Sequence, residues 1–276
     1  MNNDKNQQLV EYFKQYKKVV VAFSGGIDST VVLYAALKAL GKKNVISIIV
    51  DSDLYSPKEF EQAKAYSREI GVELVTPRIN YLDDKEVQNN TPDSWYYAKK
   101  LFYSKIEEIR KQYNADKAFD GMNEDDQTDY RPGFKARDEY GVISPLQIFH
   151  FRKVDVRSFA KENGLKNWNK VSSCSVSSRF PYNTHITKEA VKKVVASENY
   201  LRAKGFANVR VRYYQDTARI EVPQDQIEDL FKMRKEVLNK LQEFGFTFVA
   251  LDLGGFHSGN MNKELTSKQI EKYKGY

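Results

Sequence analysis

Short, almost wholly apolar runs alternate with longer segments of helical periodicity along the first half of the chain. The apolar runs predict buried strands at 17–23, 45–50, 72–75 and 117–120. Segments in which apolar residues recur every three or four positions predict helices at 29–40, 57–70, 95–113 and 154–162. Strands that are apolar at every position are typical of a parallel sheet covered on both faces. The pattern therefore predicts an α/β fold with a doubly wound parallel sheet.

The order of elements changes after a Ser-rich stretch at 172–187. The pattern beyond it predicts a helix, two hairpin strands, a second long helix and a strand, at 188–204, 209–214, 218–222, 224–244 and 247–253. This order is typical of a small α+β domain. We therefore expect a first domain, a linker that carries the one cysteine, and a C-terminal α+β domain for substrate binding or oligomerisation, at residues 1–171, 172–187 and 188–276.

Composition and charge limit the classes of protein without choosing among them. The 276 residues contain no apolar run near the roughly 20 needed to span a bilayer, and the N-terminus lacks the apolar core of a signal peptide. We therefore expect a cytoplasmic protein without membrane contact. The net charge of +7 suits nucleic acid, and it suits nucleotides and phosphorylated metabolites equally well. Because there is no basic tail or RNA-binding signature, charge alone favours neither partner.

The chain has a single cysteine, Cys174. One thiol excludes an intramolecular disulfide, a CxxC redox pair and an all-cysteine metal or iron–sulfur site within one chain. A lone cysteine is often no more than a small buried apolar residue. A chemical role for Cys174 therefore depends on the motif around it.

The most informative segment is the SGGIDS string at 24–29, between the first predicted strand and the first predicted helix. Its two glycines allow the backbone to wrap closely around an anion, and the helix N-terminus adds a positive dipole end. The carboxylate of Asp28 is suited to the magnesium ion that accompanies nucleotide phosphates. Hydroxyl donors are available from Ser24, Ser29 and Thr30. The simpler alternative is a glycine turn capped by serine at the start of a helix.

This string resembles the SGGxDS signature of the PP-loop ATP pyrophosphatases, which have the adenine nucleotide alpha hydrolase-like fold. It lacks the lysine of the GxxxxGK[ST] loop, which serves transfer of the γ-phosphate. The resemblance implies cleavage of ATP to AMP and pyrophosphate, with magnesium held at Asp28 and adenine near the end of the second strand. The ATP-binding residues that it implies are Ala22, Ser24, Gly25, Gly26, Asp28, Ser29, Thr30, Val50, Ser52 and Gly121.

Further segments, in the same order along the chain, resemble the LarE family. They are DGMNEDDQTDYRPG at 120–133, CSVSSRFPY at 174–182, and the hairpin formed by 205–212 and 218–223. The resemblance covers nearly the whole chain and implies transfer of sulfur to pyridinium-3,5-biscarboxylic acid mononucleotide. In that family the thiocarboxylic acid product becomes the nickel-pincer cofactor of lactate racemase, which implies a functional link to the other enzymes of that synthesis. It further implies a homo-oligomer, with a hexamer suspected, and no nucleic-acid partner.

Some relatives in that family carry three cysteines, whereas this chain resembles the sacrificial type with one. The resemblance implies that Cys174 attacks the adenylated carboxylate as a thiolate, gives up its sulfur and remains as dehydroalanine. Arg179 is close enough in sequence to lower the pKa of that thiol. The sequence does not identify the base that removes the Cα proton.

The substrate of that family carries a phosphate and two carboxylates, so arginines are expected around it. Arg210 and Arg212 alternate along one predicted strand and should point to one face, although surface arginines would show the same pattern. Trp95 is a candidate for stacking on the pyridinium ring, with core packing as the alternative. The full set of candidates is Trp95, Asp126, Arg131, Ser178, Arg179, Arg210 and Arg212, with Glu198 and Asp229 as further site carboxylates.

Three other functions remain open at this point. A PP-loop enzyme that thiolates tRNA would suit the positive charge, but it would normally need a second catalytic cysteine or a cluster. An amide-forming adenylating ligase would need an ammonia source and gives Cys174 no role. A nucleotide sensor would keep the loop for binding only, and it would release no pyrophosphate from ATP.

Overall fold

The structure is a computed structural model that describes residues 2–128, 132–169, 175–257 and 259–272. Its α-helices are α1 (Asn2–Phe13), α2 (Ile27–Leu40), α3 (Pro57–Ile70), α4 (Lys85–Gln88), α5 (Ser94–Gln112), α6 (Gly133–Glu139), α7 (Pro145–Ile148), α8 (Lys153–Glu162), α9 (Lys188–Ala203), α10 (Ile227–Lys232), α11 (Arg234–Glu243) and α12 (Ser267–Glu271). Its strands are β1 (Val19–Ala22), β2 (Val45–Ile48), β3 (Asp51–Ser52), β4 (Glu73–Val75), β5 (Arg78–Ile79), β6 (Lys117–Phe119), β7 (Arg210–Tyr214), β8 (Thr217–Glu221) and β9 (Phe248–Leu251).

The chain forms two compact units. Among the described residues, the first unit comprises 2–80, 95–128 and 132–169, and the second comprises 81–94, 175–257 and 259–272. Within the described part of the chain, no helix combines the length and the apolar character that crossing a membrane requires.

The first unit is built around a parallel sheet with strand order β4-β2-β1-β6. Along β1, Val19 and Val21 pack into a cluster with residues of α1, α2 and α8. The intervening Val20 and Ala22 pack into a second cluster with residues of α5 and α6. Because successive strand residues point to opposite faces, the sheet is covered by helices on both sides. This confirms the predicted doubly wound α/β fold.

The predicted strands and helices of the first domain are all present, and their bounds agree with the prediction within about two residues. The sequence analysis did not anticipate α1. Most residues of this helix are polar, but Leu9 and Phe13 are fully buried in the core. Residues four apart lie on the same side of a helix, so two large apolar side chains are enough to anchor it.

The second unit contains a sheet with strand order β7-β8-β9, in which β7 and β8 form an antiparallel hairpin and β9 runs parallel to β8. The helices α9 and α11 pack against this sheet. The single helix predicted at 224–244 is instead divided into α10 and α11. Met233, with φ −90° and ψ 8°, ends the first and precedes the second. The sequence gives no signal for this break, because residues 227–243 contain no glycine or proline.

Residues 81–94 belong to the second unit, although the sequence analysis placed them within the first domain. The amide N–H groups of Asn183 and Ile186 donate to the carbonyls of Asn90 and Gln88. The side-chain amide of buried Asn90 donates to the carbonyl oxygens of Phe180 and Pro181, at 3.0 Å each. These hydrogen bonds join stretches about 90 residues apart in sequence, and local periodicity gives no signal for such pairing.

Candidate functional site

The SGGIDS loop connects β1 to α2 and is closed by its own hydroxyl groups. Gly25 has a φ of +71°, a conformation that residues with a side chain rarely adopt. The Ser29 hydroxyl accepts from the Ser24 amide at 3.2 Å and donates to the carbonyl of Gly26 at 3.0 Å. The Thr30 hydroxyl donates to the same carbonyl at 2.8 Å. These bonds hold the loop at the N-terminus of α2, where backbone N–H groups and the helix dipole favour an anion.

Asp28, the one carboxylate of the loop, is held from two other elements. The side-chain amide of Asn123 donates to its Oδ1 at 3.0 Å, and the ammonium of Lys153 donates to its Oδ2 at 2.5 Å. Lys153 is the first residue of α8. The fold thus brings to the loop a cation that the loop sequence itself lacks.

Asn123 lies in a turn that is stabilised by hydrogen bonds with acidic residues. Its amide N–H donates to Asp126 Oδ2 at 2.9 Å, and its side-chain oxygen accepts from the amide of Asp125 at 2.9 Å. Asp125 also accepts from the backbone N–H of Lys153 at 2.7 Å. Asp126, a predicted substrate residue, therefore has a local role in fixing the turn that presents Asn123 to Asp28.

Asn167 supports the loop from a third direction. Its side-chain amide donates to the Thr30 hydroxyl at 2.7 Å and to the carbonyl of Gly25 at 3.3 Å. Asn167 is three residues before the segment 170–174, which includes Cys174 and lies outside the described residues. It is therefore the described loop contact closest in sequence to the cysteine.

Gly121 approaches the loop more closely than any other residue type would allow. A Cβ at this position would lie 2.5 Å from the backbone nitrogen of Ser29 and 2.8 Å from its Cα. Real Cβ atoms do not approach backbone atoms so closely, so the first turn of α2 requires glycine here. The neighbouring Asp120 is buried and accepts from the hydroxyls of Tyr103 and Ser144, at 2.6 Å each.

The expected adenine contacts lie where the second strand ends. Val50 and Ser52 are buried. The Ser52 hydroxyl has no hydrogen-bond partner among the residues that the structure describes. Asp51 pairs with Arg78 at 2.9 Å on the short β3–β5 sheet. The carboxyl ends of parallel strands at such an edge are where open α/β sheets bind nucleotides.

The donor set around the loop suits a magnesium–nucleotide. The loop offers backbone N–H groups and hydroxyls for phosphate oxygens, and Asp28 offers the hard oxygen that magnesium prefers. Lys153 places its ammonium beside the loop, in an ion pair with Asp28. The residues present therefore fit ATP with its metal ion.

In the second unit, Ser178 and Arg179 belong to a short 3-10 turn at Val176–Arg179. Arg179 is 2% exposed and forms a two-point ion pair with Glu198 of α9, with N–O distances of 2.8 and 3.1 Å. Its guanidinium also donates to the Ser178 hydroxyl at 2.7 Å. Glu198 additionally accepts from the Arg202 side chain at 2.7 Å and from the Val211 amide at 3.1 Å.

Glu198 remains ionised despite its burial. Burial by itself would raise the pKa of this carboxyl, but the charge and hydrogen bonds of Arg179, with the charges of Arg202 and Arg210, hold the pKa below its ordinary value. The carboxylate thus joins α9, β7 and the 3-10 turn. This geometry gives Glu198 a structural contact for each of its oxygens.

The two hairpin arginines point to one face, as the sequence indicated, and both are buried. Arg212 donates to the carbonyl of Ser178 at 2.5 Å and to Glu221 at 2.7 Å. Glu221 is fully buried and also accepts from Arg219 at 3.2 Å. Arg210 donates to the carbonyl of Val209 and lies over the Phe256 ring. They are therefore not solvated surface arginines.

The remaining predicted residues lie elsewhere or outside the described chain. Asp229 pairs with Lys232 at 2.8 Å on the exposed face of α10. None of its described contacts is with Arg179, Arg210 or Arg212. Trp95 is half-buried at the start of α5. Cys174 and Arg131 fall in segments outside the described residues.

Comparison with known proteins identifies the family. A family model described as NAD synthase matches residues 3–114. The pyridinium-3,5-bisthiocarboxylic acid mononucleotide synthase of Lactiplantibacillus plantarum is 49% identical over 269 residues, which cover 98% of each chain. The chain belongs to the LarE family. Another relative, an uncharacterized protein of Synechocystis sp., is 35% identical over 268 residues, which are 96% of this chain and 100% of that protein.

A narrower similarity links the chain to an NAD synthetase. The NH(3)-dependent NAD(+) synthetase of Methanocaldococcus jannaschii is 42% identical, but over only 61 residues, which are 22% of this chain. The similarity to this synthetase therefore does not extend over the whole chain, unlike that to the LarE relative.

Sequence reasoning missed three residues that the structure brings to the SGGIDS loop and the first turn of α2. They are Asn123, Lys153 and Asn167. Asn123 lies inside the 120–133 segment that resembles the LarE family, so the sequence could have indicated it. Lys153 and Asn167 reach the loop across more than 120 residues, and no local pattern marks them.

Proposed function

We propose that this LarE family protein is an ATP-dependent sulfur transferase that converts pyridinium-3,5-biscarboxylic acid mononucleotide into the thiocarboxylic acid. The observation that carries the proposal is the 49% identity, over almost the whole of both chains, to a protein named as the synthase of the bisthiocarboxylic acid mononucleotide. The hydroxyl-closed loop at the N-terminus of α2 supports it, because that loop is suited to a nucleotide phosphate.

The first step is adenylation of a substrate carboxylate. A carboxylate oxygen attacks the α-phosphorus of ATP, and pyrophosphate leaves. The backbone N–H groups of Gly25 and Gly26 and the N-terminus of α2 hold the leaving pyrophosphate. Asp28 would hold a magnesium ion, which would screen the phosphate charge. Lys153 leaves Asp28 for a phosphate oxygen when the nucleotide binds. The product is a mixed anhydride, in which AMP is a good leaving group.

The second step uses Cys174 as nucleophile and sulfur donor. Its thiolate attacks the acyl carbon, the bond to AMP breaks, and a thioester joins the substrate to the protein. A base then removes the Cα proton of Cys174, and the electron pair forms the Cα–Cβ double bond as the Cβ–S bond breaks. The sulfur leaves on the substrate as a thiocarboxylate, and dehydroalanine remains in the chain. Each chain therefore acts once.

The 3-10 turn that follows Cys174 is the proposed support for this step. Ser178 and Arg179 are held by Glu198 and Arg212, which gives the turn a fixed conformation. We include Trp95, Asp126, Arg131, Arg210 and Arg212 among the substrate-binding residues proposed from the family resemblance, with Glu198 and Asp229 as further site carboxylates. The buried carboxylate of Glu221 already pairs with Arg212, and Arg212 also donates to the carbonyl of Ser178, so we infer that it fixes the position of the turn.

The proposal extends to assembly and to the use of the product. Large apolar side chains are exposed on the second unit, and they support a homo-oligomer, with a hexamer implied by the family resemblance. They are Phe231, Leu238, Phe248 and Leu253. The thiocarboxylic acid would then serve synthesis of the nickel-pincer cofactor of lactate racemase.

Product analysis tests the proposed function directly. With magnesium, ATP and the biscarboxylic acid mononucleotide, the nucleotide products are expected to be AMP and pyrophosphate. Intact mass after one turnover is expected to fall by about 34 Da, the loss of hydrogen sulfide from cysteine, and peptide mapping should locate it at Cys174. Formation of ADP and phosphate, or many turnovers with unchanged protein mass, would contradict the proposal.

A further inference from the structure

Asn167 reaches the SGGIDS loop from a turn that is anchored in the core of the first unit. Helix α8 ends at Glu162, and the chain changes direction at Gly164, which has a φ of +66°. Leu165 is then buried in the core, and its backbone N–H donates to the carbonyl of Ala160 at 2.8 Å. The position of Asn167 is therefore set by packing that does not depend on the loop.

The described contacts of Asn167 with the loop all use its side-chain nitrogen. This nitrogen donates to the Thr30 hydroxyl at 2.7 Å and to the Gly25 carbonyl at 3.3 Å. A carbonyl oxygen can only accept, and the Thr30 hydroxyl already donates its one hydrogen to the carbonyl of Gly26 at 2.8 Å. Both partners therefore require an N–H, which fixes the orientation of the side-chain amide. A carboxylate of the same shape would offer neither donor.

The oxygen of the same side chain has a different environment. Asn167 Oδ1 is buried and has no hydrogen-bond partner among the residues that the structure describes. A buried acceptor without a donor adds nothing favourable to folding. The described hydrogen bonds of this side chain therefore serve the loop, and a substitution that replaces only the nitrogen changes only those bonds.

The bond to Gly25 fixes the peptide unit at the centre of the loop. The carbonyl of Gly25 and the N–H of Gly26 belong to one planar trans peptide, so they point in opposite directions. The Gly26 N–H points to Ser24 Oγ, which is 3.2 Å away. Because glycine lies on both sides, the rotation of this peptide meets little steric resistance. Asn167 opposes that rotation by holding the carbonyl.

We propose that Asn167 is a positioning residue for ATP binding, because it holds the Gly25–Gly26 peptide in the orientation that offers the Gly26 N–H to a phosphate oxygen. The role deepens the proposed function, on which it rests for the use of ATP. A rotated peptide would present the Gly25 carbonyl instead, and its partial negative charge would repel phosphate. Donors that are oriented before the ligand arrives need no rearrangement, so they act more strongly than donors that must turn.

Calorimetry of magnesium-ATP binding in the absence of the second substrate tests this role. The variants are Asn167→Ala, Asn167→Asp and the matched control Asn169→Asp, which introduces the same charge at an exposed asparagine two residues away. Loss of two neutral hydrogen bonds is expected to weaken ATP binding about tenfold in Asn167→Ala. Asn167→Asp should weaken it further, because it also places a negative charge against the Gly25 carbonyl. The control should bind ATP as the wild type does.

The pH dependence of binding distinguishes the position of a donor from a general loss of structure. A protonated aspartate has an O–H donor, and contact with acceptors raises the pKa of a carboxyl above its ordinary value. ATP binding by Asn167→Asp, relative to the wild type at the same pH, should therefore improve as the pH falls from about 8 toward about 5. The same ratio should stay constant for Asn167→Ala and for Asn169→Asp. Thermal unfolding at each pH checks that the variants are folded.

Unchanged ATP binding in both Asn167 variants would overturn the positioning role. So would a loss in Asn167→Asp that equals the loss in Asn167→Ala at every pH, because the donor would then be irrelevant. Pyrophosphate release with the biscarboxylic acid mononucleotide reports separately on the proposed function. A wild type that binds ATP through an Asn167-dependent loop but releases no pyrophosphate would keep the positioning role and reject the proposed function.

Discussion

Lys153 brings to the SGGIDS loop a positive charge that the loop lacks in its own sequence. It contacts Asp28 at 2.5 Å from the first turn of α8, so the same ammonium can neutralise the carboxylate before ATP binds and a phosphate oxygen afterwards. A charge on a partly buried site acts through a lower effective dielectric than one in water.

We predict that Lys153→Ala raises the KM for ATP about tenfold or more, because a charge-assisted contact to phosphate is lost. The measurement is pyrophosphate release against ATP concentration at saturating substrate. Lys38→Ala, which removes an exposed lysine from the other end of α2, is the matched control and should leave the KM unchanged. An unaltered KM in Lys153→Ala would show that this lysine only balances the charge of Asp28.

Gly121 has no room for a side chain, because the backbone of Asp28 and Ser29 lies against it. We predict that Gly121→Ala destabilises the protein by about 1–3 kcal/mol, because the new Cβ would overlap the first turn of α2 and force it to move. The movement would also displace the loop, so the KM for ATP should rise together with the loss of stability. Urea unfolding and pyrophosphate release measure the two effects. Normal stability combined with weakened ATP binding would instead assign Gly121 a direct contact to the nucleotide.

At the scale of elements, buried ion pairs hold α9, the hairpin and the turn after Cys174 together. Glu198 and Glu221 are almost completely buried, and each is bonded to one arginine on a different element: Arg179 for Glu198 and Arg212 for Glu221. The sequence indicated that Arg210 and Arg212 share a face, since strand alternation is a local property. It did not indicate their partners, because the pairing of α9 with β7 depends on the tertiary fold.

We predict that Glu221→Gln lowers the free energy of unfolding by about 3–5 kcal/mol, since it leaves Arg212 buried without its counter-charge. Glu228→Gln, an exposed acidic residue on α10, is the control and should change stability little. Both are measured by urea denaturation at neutral pH. A loss in Glu221→Gln as small as that of the control would mean that the buried pair contributes nothing net to stability.

At the scale of the whole molecule, the doubly wound sheet was predictable from the sequence. Both faces of its strands are covered by helices, so the strands are apolar at nearly every position. The strand–loop–helix setting of SGGIDS likewise has local signals. The assignment of residues 81–94 to the second unit had none, since it depends on hydrogen bonds such as those of Asn90 to a distant segment. The domain boundary at 171 and 172 remains a prediction from composition.

The proposed chemistry divides into an ATP step carried by the first unit and a sulfur step carried by Cys174, and single variants should separate them. Asp28→Ala is expected to abolish most pyrophosphate release while the circular dichroism spectrum is unchanged, because the magnesium ligand is lost and the loop hydrogen bonds through hydroxyls remain. Cys174→Ala is expected to release pyrophosphate and form the acyl adenylate, because it leaves the loop intact.

Intact-mass analysis distinguishes these two variants from the wild type. The wild type should pass through a covalent substrate adduct and end about 34 Da lighter, whereas neither variant should show an adduct or a mass loss. Thiocarboxylate made by Cys174→Ala would mean that the sulfur has another source and that the cysteine is a bystander. If Cys174→Ala instead released no pyrophosphate, the thiol would be required before adenylation, and the order of steps proposed for this chain would be wrong.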